Sequence, residues 1–264
     1  MLDFTGHVVL VTGGAAGIGF GIADAFHAAG ARVALGDLRA DALDRARGKL
    51  GNDVFTHAMD VRDERSVDAF VDAAERALGP ATIAVANAGI YPNAPVLEMT
   101  VEEWDRVMET NVRGVFLTCR AVARRMVTHG AGGRIITLAS GAASSGRRGA
   151  SHYCASKAGV VMFTKVIAME LADHRITVNC IAPGLVTVGD GTSAVSEDYV
   201  KTLVSNIPLG RAGTPADIAR AALFLASPLA EWMTGAVVPV DGGSSTGRTY
   251  LPFSSPPNST GSRK

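Results

Sequence analysis

Short runs in which nearly every residue is apolar alternate along the chain with longer stretches in which apolar residues return every third or fourth position. The runs are 7–12 (HVVLVT), 31–36 (ARVALG), 53–58 (DVFTHA), 82–87 (TIAVAN), 133–140 (GRIITLAS), 175–182 (RITVNCIA) and 236–240 (AVVPV). Rich in valine and isoleucine and apolar on successive residues, they predict strands covered on both faces. Between them, 66–79 (SVDAFVDAAERALG) carries the helical period, and 19–30 (GFGIADAFHAAG) ends on a glycine suited to a helix C-terminus. Segment 215–227 (PADIARAALFLAS) opens on a proline that fits a first helical turn. Strand alternating with helix requires right-handed crossovers, which predicts one α/β domain: a doubly wound parallel sheet with helices on both faces. This pattern holds over 1–245, and the polar, proline-rich tail 246–264 cannot extend the sheet.

Composition narrows the picture further. With 47% apolar and 19% charged residues among 264, the chain can bury a sizeable core. The 25 basic and 25 acidic residues balance, so no field points to nucleic acid or to an anionic membrane. The apolar runs are too short and too interrupted for a transmembrane helix. The N-terminus has neither a basic leader nor a cleavable apolar segment, and a cytoplasmic location is expected. Cys119, Cys154 and Cys180 are odd in number and far apart, and the six histidines never fall at ligand spacing, so reduced thiols and no metal are expected.

Residues 12–19 (TGGAAGIG) lie between the first strand and the first helix. Gly13, Gly17 and Gly19 permit a tight turn, and the helix N-terminus beyond them offers free N–H groups to a phosphate. Ile22 stands where the G-x-G-x-x-G pattern would place its last glycine. Asp37 ends the second strand, where its carboxylate can accept from the adenosine ribose hydroxyls or cap the following helix. A carboxylate there repels a 2′-phosphate and favours NAD over NADP, with Arg39 as a counterweight.

TGGAAGIG, the Asn87-Ala88-Gly89 segment, Asn111, Ser140 and the YCASK segment at 153–157 together resemble the short-chain dehydrogenase/reductase family, in that order and over about nine-tenths of the chain. The resemblance implies a Rossmann-like domain, usually of seven parallel strands, metal-independent hydride transfer with a nicotinamide cofactor, and often a homotetramer. It places Gly13, Gly17, Ile18 and Gly19 on the pyrophosphate and Asp37 on the adenosine ribose. Asp60 and the Val61 amide would meet the adenine, Asp60 also serving as a helix cap. Asn87, Ala88 and Gly89 would pack their backbone on the cofactor, and Pro183 and Gly184 would lie under the nicotinamide. Val188 occupies the place of a threonine that often holds the nicotinamide amide, so that contact passes to Val186, Thr187 or the backbone.

The pair Tyr153 and Lys157 falls on one helical face, where an ammonium can lower the phenol's pKa. Tyr153 then serves as general acid or base, and Lys157 also holds the nicotinamide ribose. Ser140, at the end of the fifth strand, would hold the substrate oxygen, and Asn111 a relay water behind Lys157. Each also has a plain structural alternative: a solvated pair, a serine cap, a local amide bond. His152 is expected at the surface or pocket rim. The pocket is expected to be lined by Ala142, Ala143, Ser144, Arg147, His152, Tyr91 and Asn93, under a lid within 184–208, with Arg147 and Arg148 as a solvated pair. A secondary alcohol dehydrogenase using NAD leads, followed by an NADPH-dependent 3-oxoacyl thioester reductase and a non-catalytic NAD-binding regulator.

Overall fold

The computed structural model describes residues 2–188 and 197–247, apart from the side chains of 197–199. Of the expected lid, residues 189–196 lie outside the described residues, as does the tail from 248. Seven strands form one wholly parallel sheet: β1 Val8–Thr12, β2 Arg32–Asp37, β3 Phe55–Ala58, β4 Ile83–Ala86, β5 Gly133–Leu138, β6 Ile176–Pro183 and β7 Val237–Val240. Their order, β3-β2-β1-β4-β5-β6-β7, reverses between β1 and β4, and ligands of such sheets bind beyond the strand C-termini at that crevice.

The sheet is covered as its sequence demands. Val8 and Leu10 of β1 face one layer and Val9 and Val11 the other, each fully or almost fully buried. Helices α1 (Gly17–Ala28), α2 (Ala40–Leu50) and α8 (Pro215–Ala226) cover one face through Ile22, Phe26, Leu43, Ile218 and Leu225. Helices α3 (Glu64–Leu78), α5 (Gly114–His129) and α6 (Ser151–Leu171) cover the other through Phe70, Val122, Met126 and Val160. Two shorter helices complete the set, α4 (Val101–Met108) and α7 (Glu197–Val204).

Helix ends follow local chemistry. Thr214 and Asp217 form a reciprocal capping box at α8, with Pro215 at its first position. At α3 the cap is Asp63, whose side chain accepts from the Arg65 N–H. The expected cap Asp60 instead forks onto the Arg62 guanidinium, with contacts of 2.6, 3.0 and 3.1 Å. Between α4 and α5 the chain widens into a π-turn, Glu109–Arg113, which holds Asn111 at its centre.

Among the described residues no helix is long and apolar enough to cross a membrane, and no three His, Cys, Asp or Glu side chains gather to hold a metal.

Candidate active site

The loop after β1 is shaped by its glycines. Gly13 and Gly17 take left-handed φ values of 63° and 58°. A Cβ on Gly19 would stand 2.1 Å from the Gly13 carbonyl oxygen and 2.5 Å from the Asn87 amide nitrogen. Helix α1 thus starts against the loop itself, and Asn87 locks the turn by donating to the Thr12 and Gly13 carbonyls, each at 3.0 Å. Ala88 closes the other wall, since a Cβ on Gly13 would meet its Cα at 2.8 Å. The N-terminus of α1 has no side-chain cap, and its first N–H groups, beside Ile18, remain available to an anion.

Asp37 lies at the rim of this loop. Its side chain is only 10% exposed, and it accepts from the Ala15 N–H at 3.3 Å and the Arg39 N–H at 3.1 Å. The cap position of α2 is Arg39, so Asp37 is free of the capping role weighed for it. Arg39 does not turn wholly to solvent: its Nε lies 3.6 Å from the Asp37 carboxylate. Leu38, between them, is exposed.

Asp60 and Val61 follow β3 near the same crevice. The Arg62 guanidinium holds the Asp60 carboxyl below its usual range. An adenine amine would share Asp60 with that guanidinium. The Val61 side chain packs on Gly114, where a Cβ would come within 2.8 Å.

At the C-terminal ends of β5 and β6 the remaining residues converge. Ser140 lies two residues past β5 and caps a 3-10 turn, Gly141–Ala143, accepting from the Ala142 N–H at 3.2 Å. Tyr153, in the first turn of α6, is half-buried. Burial raises its pKa above that of an ordinary phenol, while hydrogen bonding to Ser140 and the charge of Arg147 act the other way. This corrects the expected activation by Lys157. The ammonium lies 5.8 Å from the Tyr153 ring centre and donates to the Leu138 carbonyl at 2.8 Å. Burial brings Lys157 itself down to about 8, so it is still mostly charged at neutral pH, but at this distance it does not offset the phenol's own desolvation.

Asn111 is fully buried, and its amide group is committed to protein. Its oxygen accepts from the Ile90 N–H at 2.8 Å, and its nitrogen donates to the Ile90 carbonyl at 2.9 Å and the Ser156 hydroxyl at 3.0 Å. Ser156 in turn donates to the Tyr153 carbonyl at 2.7 Å. The amide donors are therefore spent on a clasp between the segment after β4 and α6, where a held water was expected. Gly89 is packed into the same corner: a Cβ there would stand 3.2 Å from the Asn111 oxygen and 3.4 Å from the Lys157 ammonium.

Pro183 ends β6, and Gly184 donates to the Val240 carbonyl at 3.1 Å with no room for a Cβ beside Asp241. Val186 bridges to Gly213, and the Thr187 N–H donates to the Gly213 carbonyl at 3.0 Å. Val188 reaches the glycine loop, 3.8 Å from where a Gly17 Cβ would be.

One further expectation changes. His152 is fully buried beneath the site and does not line it. Arg147 and Arg148 are both exposed, as expected, and Arg147 also donates to the Asn93 side-chain oxygen at 2.9 Å, its guanidinium 5.4 Å from the Tyr153 ring centre. Ser156 and the Leu138 carbonyl were not foreseen, because a helix serine and a main-chain oxygen carry no mark in the sequence.

The residues present fit a nicotinamide dinucleotide. The glycine cradle and uncapped helix suit its pyrophosphate, and Asp37 suits a ribose. The buried Lys157 ammonium has, among the described residues, only the Leu138 carbonyl as hydrogen-bond partner, which leaves donors for a second ribose.

Residues 13–245 match a family model described as enoyl-(acyl carrier protein) reductase. D-threitol dehydrogenase of Mycolicibacterium smegmatis is 41% identical over 241 residues, covering 90% of this chain and 92% of that protein. The 3-oxoacyl-[acyl-carrier-protein] reductase FabG of Chlamydia pneumoniae is 39% identical, covering 92% and 98%. Among solved structures, a short-chain type dehydrogenase/reductase from Mycobacterium marinum superposes with a TM-score of 0.84 at 39% identity, covering 92% of this chain and 96% of that one.

Proposed function

The chain belongs to the short-chain dehydrogenase/reductase family, and from that premise we propose that it is an NAD-dependent dehydrogenase interconverting a secondary alcohol of polyol, sugar or cyclic type with its ketone. The observation that carries this reading is the convergence of Tyr153, Ser140 and Lys157 beyond the sheet's C-terminal edge, beside the glycine cradle. The similarity to a threitol dehydrogenase supports the polyol choice.

When bound, the nicotinamide accepts or returns the hydride at the carbinol carbon. Ser140 holds the substrate oxygen against the Tyr153 hydroxyl. Tyr153 takes the hydroxyl proton in oxidation and gives it back in reduction. The Tyr153 phenolate would gain further stabilisation from the positive ring of an oxidised nicotinamide beside it. Lys157 holds the nicotinamide ribose, while Pro183, Gly184, Val186 and Thr187 support the nicotinamide end. Asn111 fixes the corner, and a relay water would rest on the main chain of its π-turn. The dinucleotide's other end rests on Gly13, Gly17, Ile18 and Gly19, on Asp37, on Asp60 and Val61, and on the Asn87-Ala88-Gly89 backbone.

Location in the cytoplasm and assembly as a closed homotetramer belong to the same proposal. The exposed Val101, Trp104, Met162 and Met169 on α4 and α6 support assembly, because they leave an apolar face uncovered.

A second reading, a 3-oxoacyl thioester reductase using NADPH, is favoured by the matched family model and the FabG relative, and disfavoured by Asp37. Absorbance at 340 nm with a panel of polyols, sugars, cyclic alcohols and 3-oxoacyl thioesters, run with NAD(H) and NADP(H), separates the two. Oxidation of an alcohol with NAD supports the first; reduction of the thioester alone, with NADPH, replaces it.

A further inference from the structure

Arg147 is distinguished by its place, an exposed guanidinium 5.4 Å from the Tyr153 ring centre. Arg39, Arg45, Arg62, Arg113, Arg120, Arg125, Arg211 and Arg220 each lie against a carboxylate. Among the described residues, Arg147 has no carboxylate partner, and its hydrogen bond goes to the neutral amide of Asn93. Asn93 follows β4 and Arg147 follows the neighbouring β5, both at the C-terminal edge where Tyr153 lies. Only one terminal nitrogen, Nη2, is used. The rest of the planar guanidinium fork remains open, over the face of the Tyr153 ring.

We propose that Arg147, held in place by Asn93, anchors a carboxylate on the substrate, so that the site is built for short 2- or 3-hydroxy acids and their oxo acids. The proposal rests on the dehydrogenase reading above and puts a short hydroxy acid in place of its polyol, sugar or cyclic alcohol. A guanidinium binds a carboxylate through two parallel hydrogen bonds, which neutral hydroxyls cannot reproduce. With the cation 5.4 Å from the phenol ring centre, a carboxylate on Arg147 and a hydroxyl on Tyr153 fit one short molecule. The charges already there suit an anion: Lys157 and Arg147 flank the phenol, and no Asp or Glu contributes to its titration. The Tyr91 ring meets that of Tyr153 edge-on at 6.4 Å beside this place.

The test compares acids with neutral partners of the same skeleton: 3-hydroxybutyrate against 1,3-butanediol, and lactate against 1,2-propanediol. Initial rates are measured with saturating NAD for the wild type, Arg147→Gln and Arg147→Lys. The wild type is expected to favour the better acid over its diol by at least about tenfold in kcat/KM. Arg147→Gln should lower that preference about tenfold or more through KM for the acid, and Arg147→Lys should recover part of it. A wild type that prefers the diols, or a preference unmoved by Arg147→Gln, overturns the proposal while leaving the dehydrogenase reading intact. Failure to oxidise any acid or neutral alcohol, with the neutral panel above included, overturns both.

Discussion

The Nδ1 atom of His152 accepts the main-chain N–H of Tyr153 at 2.9 Å, while its Nε2 faces the Glu103 carboxylate on α4 at 3.6 Å. The first bond fixes the tautomer: Nδ1 is bare and Nε2 carries the hydrogen, directed at the carboxylate. Helix α6 has no side-chain cap from Ala150, so His152 satisfies one of its orphan donors. Tyr153 is thus tied by its N–H to His152 and by its carbonyl to Ser156, itself held by Asn111. The phenol gains a fixed origin from both ends of its own residue.

Replacing His152 with alanine removes the acceptor and leaves a buried hole. A stability loss of about 2 kcal/mol or more is expected. Turnover should fall several-fold further than NAD affinity, because the phenol loses its register while the cofactor cradle is untouched. His152→Asn, which returns an acceptor oxygen, should recover part of the turnover. Equal loss of turnover in both variants, with NAD binding measured by fluorescence titration, would show that His152 acts only by filling space.

Tyr153→Phe removes only the ionisable hydroxyl. Fold and NAD affinity should stay nearly intact while turnover drops by at least about two orders of magnitude. More than about a tenth of wild-type turnover in stopped-flow or steady-state assays would mean that the proton goes elsewhere.

Lys157 should make stability depend on pH. Burial lowers its pKa from 10.5 to about 8. Below pH 8 both folded and unfolded chains hold the proton, and the folded state bears the full penalty of about 3 kcal/mol. Between about 8 and 10.5 the unfolded chain binds more protons, so stability rises with pH through this window, and above it the penalty is gone. Lys157→Met should therefore narrow its stability advantage over the wild type, or widen its deficit, between pH 7.5 and 10. Urea melts of the cofactor-free proteins at these pH values measure the difference, and a flat difference would remove the assignment.

Much of this was legible in the sequence, for identifiable reasons. Strands buried on both faces read as unbroken apolar runs, and all seven came within a residue or two of their bounds. The glycines of 12–19 marked the cradle, because positive φ and a missing Cβ select one residue type. What stayed hidden depends on packing between distant segments. His152 sits among polar neighbours, and only its contact with α4 buries it. Asp60 was the expected cap of α3, but the Arg62 guanidinium holds its carboxylate and Asp63 takes the cap. The π-turn at Asn111 has the same apolar period on either side, so nothing local reveals the extra residue.

Cofactor choice gives the last prediction, and it turns on Asp37 and its two neighbours. The carboxylate is nearly buried at the rim of the glycine loop, and on the proposed reading it would accept from both adenosine ribose hydroxyls. Charged hydrogen bonds of this kind contribute about 1.5–3 kcal/mol. A 2′-phosphate would lose that gain and bring like charges together, so NAD should be preferred by about a hundredfold in kcat/KM. Arg39 could offset this by meeting the phosphate, but its Nε already leans on Asp37 at 3.6 Å. Asp37→Ala removes the repulsion and releases Arg39 together, and the preference should narrow sharply. Leu38 is exposed beside that rim, so adding Leu38→Arg supplies a second cation and should tilt the balance towards NADP. The check is kcat/KM with both cofactors for the wild type and each variant. Equal use of NADP by the wild type, or no change on losing Asp37, would place the thioester reductase reading first.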